Sequence, residues 1–391
     1  MSNGLISKQS EGICVGIRMR PLNEKEVNSG LGKLFQCQTD KNSVSQMSNG
    51  QSVETFYYDR VFDEDSSTTE VYQHIGKGIV DGVMNGINGT IFAYGQTSSG
   101  KTHTMLGGGE QAGVLNMAAQ DIFAHISAHP HRDYLLRASF VEIYNENIRD
   151  LLSIAAPGVD ATVAIREDPR RGVYCEAQEV MISDYDSITR VLTQGISRRA
   201  VEATAMNDTS SRSHTIFKLV VESRESNRDG QEADGAVLVA TFNLVDLAGS
   251  ESVKHTGAMG QRAKEGGKIN QSLLSLSRVI HSLSQPGAHV NFRDSKLTRL
   301  LQPSLCGNAK MSICCCITPA DRYLEETRST LQFASRAKLV ETHATVNEVL
   351  DDTAVIRRLK KELEVLKATV NSDEGVEALR LANEAMEQQL R

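Results

Sequence analysis

Apolar positions along this chain follow two rhythms. Alternation at Ile13, Val15 and Ile17, ending at Pro21, predicts a strand, because successive strand side chains point to opposite faces and proline cannot donate to a ladder. The run from Gly89 to Tyr94 does not alternate and predicts a central strand covered on both faces. Further strands are expected at 136–144, 215–222, 237–245 and 311–317, with helical patterns between most of them. That succession predicts an α/β fold with a central, mostly parallel or mixed sheet flanked by helices on both faces. Segment 223–234 is polar and turn-rich and is expected to be an exposed loop joining two strands, while Gly107-Gly108-Gly109 marks a flexible insertion.

From Asp351 the rhythm changes. Ile356, Leu359, Leu363, Leu366 and Val370 recur at alternating spacings of 3 and 4, the seam of a coiled coil. The seam breaks at 371–375 and resumes in a new phase at Val376, Leu379, Asn383, Met386 and Leu390. An asparagine in that seam specifies register at some cost in stability. Two heptads also suit a single amphipathic helix folded onto the globular part. The pattern is still running at Arg391, so the chain is expected to continue.

A length of 391 residues suits one large domain with an extension, or two ordinary domains. No stretch approaches the roughly 18 apolar residues of a membrane span, and Met1 to Gln9 holds no cleavable apolar segment. An intracellular, cytoplasmic protein without membrane insertion is expected. Seven cysteines fit neither a disulfide framework nor a zinc site, and Cys314-Cys315-Cys316 lies in an apolar run where thiols act as small hydrophobes. A net charge of −7 would argue against an anionic partner if it were evenly spread. Between Ser252 and Lys310, however, nine basic residues face two acidic ones. Such concentration points to an acidic partner surface, the alternative being a solvated charged face.

The strongest chemical signal directly follows the Gly89-to-Tyr94 run. Gly95, Gln96, Thr97, Ser98, Ser99, Gly100, Lys101 and Thr102 form a complete phosphate-binding loop. In such a loop backbone N–H groups converge on phosphate oxygens, Lys101 supplies a point charge and the Thr102 hydroxyl ligates Mg²⁺. Asp246 ends the strand at 237–245, and Asp246-x-x-Gly249 has the spacing of a γ-phosphate sensor, with the aspartate facing Mg²⁺ and the glycine N–H reaching the phosphate. Upstream, the stretch from Asn207 to His214 gathers hydroxyls beside Arg212. It suits a loop closing over Mg²⁺ and phosphate, and in isolation also reads as a surface Ser/Thr loop. No Asn-Lys-x-Asp element for reading guanine is present.

These residues together resemble a kinesin motor domain. The phosphate loop, Ser-Ser-Arg-Ser-His at 210–214, Asp-Leu-Ala-Gly-Ser-Glu at 246–251, Arg18-Met19-Arg20-Pro21, the segment at 56–62 and the segment at 292–301 stand in that family's order and approximate spacing. The resemblance spans roughly residues 13–353. It implies a polar N-terminal segment at 1–11, in which Leu5 and Ile6 supply a cover strand, a motor domain at 12–340, a neck linker at 341–353, and a neck helix with the start of a coiled coil at 354–391.

The implied activity is a microtubule-stimulated ATPase using ATP/ADP and Mg²⁺. Arg18, Arg20, Pro21 and His103 fall at the adenine end. Asn207, Ser210, Ser211 and Arg212 fall in the first switch, with Ser211 near Mg²⁺ and the attacking water. Gly249 matches the second switch, and Arg212 with Glu251 the pair that closes over the γ-phosphate and relays a proton. Thr102, Ser211 and Asp246 form the metal set. Lys254, Arg262, Lys264, Arg293, Lys296 and Arg299 would face acidic tubulin, with Lys268 a weaker member, and Asn270 opens the helix joining the second switch to the filament. Asn347 aligns with the latch of a docked neck linker.

The layout resembles plus-end-directed motors, and 346–350 with 357–362 resembles the centromere-associated branch. A spindle or kinetochore location, a homodimer through the coil of the full-length protein, and no nucleic-acid partner are further expectations. The alternative is a non-motile microtubule-binding scaffold or end-tracker with slow ATPase; a depolymerising motor is disfavoured because 46–52 lacks a basic probe. Three residues depart from the family pattern: Ser277 and Cys306 where relatives carry glycine, and Pro303, expected to end or kink its helix early.

Overall fold

The structure, a computed structural model, describes residues 11–109, 111–154, 161–168, 172–206, 211–226, 236–251 and 261–350, with the backbone alone at 11, 201–206, 261–270 and 350. One sheet contains β1 (Cys14–Met19), β2 (Arg60–Phe62), β3 (Gly89–Tyr94), β4 (Arg132–Tyr144), β5 (Asn147–Asp150), β6 (Val180–Ile182), β7 (His214–Glu225), β8 (Ala236–Asp246), β9 (Lys310–Ile317) and β10 (Glu348–Leu350). Its order is β5-β4-β7-β8-β3-β9-β1-β2, with β6 added to β4 and β10 to β8. From β8 through β2 the neighbours are parallel; β5, β4, β7 and β8 are joined antiparallel. The mixed sheet expected from the sequence is thus divided into a parallel half and an antiparallel half.

Every residue of β3 is buried, and its side chains alternate between two cores. Ile91 and Ala93 pack with apolar residues of α1 (Thr68–Ile75), α2 (Lys77–Met84), α3 (Lys101–Leu106), α4 (Val114–Ala128) and α5 (Tyr185–Met206). Phe92 and Tyr94 pack on the opposite face with α6 (Gln261–Leu283), α7 (Lys296–Leu305) and α8 (Leu324–Ala337). Burial of each large apolar side chain contributes roughly 1.5–3 kcal/mol. A one-residue slip of β3 would exchange the two sets, so packing on both faces fixes the register that aims the loop after it.

Near its ends the described chain folds back on itself. Glu11–Gly12 pairs antiparallel with Glu341–Thr342, and β10 then pairs with the first residues of β8. β7 runs on to Glu225, absorbing the beginning of the loop expected at 223–234. Residues 227–235, the coil at 354–391, and Leu5 and Ile6 lie outside the described residues.

Gly107–Gly108, in the segment expected to be a flexible insertion, pairs antiparallel with Gln111–Ala112. Gly107 adopts φ 88°, and a Cβ there would stand 2.2 Å from the Gln111 carbonyl oxygen, so glycine is what lets the two segments pair. Pro303 does not end its helix early: it lies inside α7, which continues to Leu305. Near a C-terminus the missing N–H removes a single intrahelical bond, and the Cys306 N–H still donates to the Gln302 carbonyl at 2.8 Å. Cys306 itself sits at φ −76°, with no left-handed strain; Gly307, at φ 108°, takes that conformation.

Candidate functional site

At the end of β3 the chain turns through Gly95 to Gly100 and enters α3. Ser98 at φ 61° and Gly100 at φ 100° make the turn left-handed. A Cβ on Gly95 would lie 2.2 Å from the Cys316 carbonyl oxygen of β9, so the loop rests directly against the neighbouring strand. Lys101 is buried, and its ammonium donates to the carbonyls of Gly95 (2.9 Å) and Gln96 (2.7 Å). Burial holds its pKa below the ordinary lysine value, while Asp246 opposes the shift.

Parallel pairing of β8 with β3 sets Asp246 opposite Ala93, one strand from the loop. The Thr102 hydroxyl donates to Asp246 Oδ2 at 2.7 Å, while Asp246 Oδ1 is buried with no hydrogen-bond partner. An orphaned carboxylate oxygen beside a hydroxyl offers the hard oxygen donors that a hydrated Mg²⁺ takes, and the set fits that ion. Arg199 of α5 lies 3.8 Å from Asp246 and 3.5 Å from Glu142 in the same buried cluster. Neither Arg199 nor Glu142 belongs to a phosphate motif, and only their charge in apolar surroundings could have drawn attention to them.

The segment after β8 is tied to both other loops. The Gly249 N–H, expected to reach a phosphate, donates here to the Ser211 carbonyl at 2.9 Å, and the Ser250 N–H donates to the Gly95 carbonyl at 3.1 Å. Glu251 accepts the Thr97 N–H at 2.7 Å and also the Thr97 hydroxyl, which places its carboxylate on the phosphate loop. His214, at the start of β7, accepts the Ala248 N–H at Nδ1 (3.0 Å), so Nε2 carries the proton and donates to Ser272 Oγ of α6 at 2.7 Å. Burial, with the Lys101 and Arg199 charges, pushes its pKa down to about 3 and keeps the ring neutral. One histidine therefore joins the segment after Ser211, the segment after Asp246 and α6.

Arg18 donates to Thr104 (2.9 Å) and Thr68 (3.0 Å), joining α3 to α1. Arg20 donates to the Ser98 carbonyl at 2.6 Å and pairs with the buried Glu26, a partner that sequence reasoning missed. Pro21 and His103 are exposed. Asn207, Ser210 and Lys254 lie outside the described residues, as do the side chains of Arg262, Lys264, Lys268 and Asn270. On α7, Arg293 just before it and Arg299 both approach Glu167 Oε2, at 3.6 and 3.1 Å. Lys296 donates its backbone N–H to Glu146 Oε2 at 2.8 Å.

Asn347 is anchored on three sides. Its N–H and Nδ2 donate to the Gly86 carbonyl at 2.8 and 3.1 Å, its carbonyl accepts the Val239 N–H at 2.9 Å, and its Oδ1 accepts from Asn308 Nδ2 at 2.9 Å. Asn308 was not singled out in the sequence.

A phosphate loop, an aspartate closing the adjacent parallel strand and a backbone bond between Ser211 and Gly249 give the architecture of the P-loop nucleoside triphosphatase fold. The chain belongs to the kinesin motor domain family, whose model matches residues 18–340. It is 45% identical over 358 residues to human centromere-associated protein E, covering 91% of this chain and 13% of that protein. To rice kinesin-like protein KIN-7I it is 43% identical over 391 residues, 97% of this chain and 31% of the relative. The chain therefore spans between about an eighth and a third of the length of these relatives. Among solved structures, a fast kinesin superposes with TM-score 0.78 at 38% identity, covering 87% of this chain and 95% of the other. A KIF14 dimer solved with AMP-PNP on a microtubule superposes with TM-score 0.82 at 35% identity, covering 90% and 100%.

Proposed function

We propose that this chain hydrolyses ATP and converts the state of its phosphate pocket into microtubule binding and neck-linker docking, driving movement toward the plus end. One observation carries the reading: β8 bears Asp246 at its phosphate end, while its opposite end pairs with β10 beside Asn347. A single strand thus connects the sensor to the linker.

In this reading the phosphate-loop N–H groups and Lys101 bind the β- and γ-phosphates, exchanging the present carbonyl partners of Lys101 for phosphate oxygens. Thr102, Asp246 and Ser211 would hold Mg²⁺, which when bound supplies charge neutralisation to the phosphates. Ser211 and Arg212 close over the terminal phosphate with Gly249. Glu251 leaves Thr97 to orient the attacking water and accept its proton through the pair with Arg212. Asn207 and Ser210 complete the first closing segment, and Arg18, Arg20, Pro21 and His103 border the adenine end.

The difference in phosphate occupancy biases a two-state element, and α6 with its following segments carries that bias to the filament face. Lys254, Arg262, Lys264, Arg293, Lys296 and Arg299 supply that face with positive charge toward acidic tubulin. A homodimer through the coil of the full-length protein and a spindle or kinetochore location are proposals that rest on similarity to centromere-associated protein E.

Phosphate release with and without microtubules tests the reading, and gliding of polarity-marked filaments tests the direction. Turnover that filaments leave unchanged would favour a non-motile scaffold.

A further inference from the structure

On the sheet face beneath α7 lies a cavity of about 510 Å³, lined by no residue of the phosphate loop. Its floor is the antiparallel half of the sheet, where register arranges the side chains in rows. Ser139, Lys218 and Asn243 form a polar row; Val141 and Ile216 continue the floor on one side, and Arg137 stands on the other. Leu300 of α7 and Val173 of the strand Gly172–Cys175 close it from above, while Asn347 and Val349 of the neck linker form an end wall.

Two basic side chains on this floor have capacity to spare. Arg137 directs its Nη groups to Glu179, at 3.2 Å, and to Glu222, whereas its Nε is buried with no partner. Lys218 is half-buried, and among the described residues its ammonium has no side-chain hydrogen bond or ion pair. Its ammonium is close to Cys175 across the cavity, where it partly opposes the rise that burial imposes on the thiol pKa. A buried donor without an acceptor is costly, so a ligand that brings one to Arg137 Nε gains what the protein leaves unmet, and the half-buried Lys218 ammonium adds a charge without a counter-ion. Placement of the charges, not their sum, selects the ligand: the lining holds two positive and two negative residues, but both glutamates are paired with Arg137. One carboxylate suits Lys218, whereas a second negative charge would meet the repulsion of both glutamates.

We propose that this cavity binds an amphipathic monocarboxylate, its carboxylate on Lys218 and Arg137 Nε and an apolar body of roughly ten carbons between Val141, Ile216, Leu300 and Val173. Because Val349 is a wall only when β10 is paired with β8, such a ligand binds the docked linker more tightly and shifts the population toward it. This second clause rests on the proposed motor function; the binding site does not.

The test uses decanoate and the whole 391-residue chain without filaments. Calorimetry should show saturable one-to-one binding, and peptide-resolved mass spectrometry should show Cys175 protected from N-ethylmaleimide. Lys218→Met should weaken binding about tenfold or more, Lys218→Arg should retain it, and decylamine should not bind. Val173→Trp fills the space without touching Lys218 and should abolish binding. Absence of saturable binding, or equal binding by folded Lys218→Met and Val173→Trp proteins, overturns the site. A donor–acceptor dye pair on the core and linker should report more docking at saturating decanoate; an unchanged signal alongside saturable binding overturns the coupling alone.

Discussion

At the residue scale, the chemistry depends on buried polar atoms whose partners are distant in sequence. Glu251 rests on Thr97, so its carboxylate already lies on the loop that receives phosphate. Replacing it by alanine leaves the loop and Lys101 intact, and ATP should still bind. Single-turnover hydrolysis should fall by about 10²–10³-fold, because a positioned base and its hydrogen bonds are lost; normal turnover would remove Glu251 from the relay. His214 provides a pH signature. Its folded pKa of about 3 lies below the unfolded value near 6.5, so between these values the unfolded state binds the extra proton and stability falls as pH falls. At pH 5.5 the loss should be about 1.4 kcal/mol relative to pH 7.5, and denaturant titrations of His214→Gln should lack that component.

At the element scale, α7 shows how a departure from a family pattern is absorbed. Cys306 at φ −76° needs no glycine, since Gly307 makes the left-handed turn. Cys306→Gly should therefore destabilise by about 0.5–1 kcal/mol through greater unfolded-state freedom, measured as a lower midpoint of thermal or urea unfolding. A gain in stability would show that the cysteine is strained. The segment leading into β10, the neck linker of the proposed function, is held differently, by the side-chain bonds of Asn347 to Asn308 and to the Gly86 carbonyl. Two such bonds contribute about 1–3 kcal/mol together, so Asn347→Ala should lower the docked population and gliding velocity several-fold while changing filament-free turnover less than about twofold. Equal velocities would show that backbone pairing of β10 alone suffices.

At the scale of the whole molecule, charge would govern the proposed meeting with a filament. Arg293 and Arg299 converge on Glu167, which in the proposed function would compete with tubulin for both. The pairs are solvent-accessible and contribute only about 0–1 kcal/mol, so Glu167→Gln should tighten microtubule binding about two- to fivefold at low salt. The gain should fade above physiological salt as the screening length drops below about 8 Å. Co-sedimentation across a salt series measures it, and weaker binding by the variant would mean that Glu167 orders the arginines for the filament.

Much of this protein was legible in its residues because the signals are local. The strand from Gly89 to Tyr94, the loop from Gly95 to Thr102 and Asp246 closing an apolar run each depend on neighbours a few positions away, where period and hydrogen-bonding capacity act directly. Glu26, Glu142, Arg199 and Asn308 carried no such mark. Each acquires its role from a partner that only the fold supplies: Arg20, the buried cluster at Asp246, or Asn347. Likewise, the sequence alone determined that one apolar strand would end in an acid, Asp246. Sheet order decided that this strand would have the phosphate loop beside one end and β10 at the other, because pairing between distant segments is settled by packing on both faces at once.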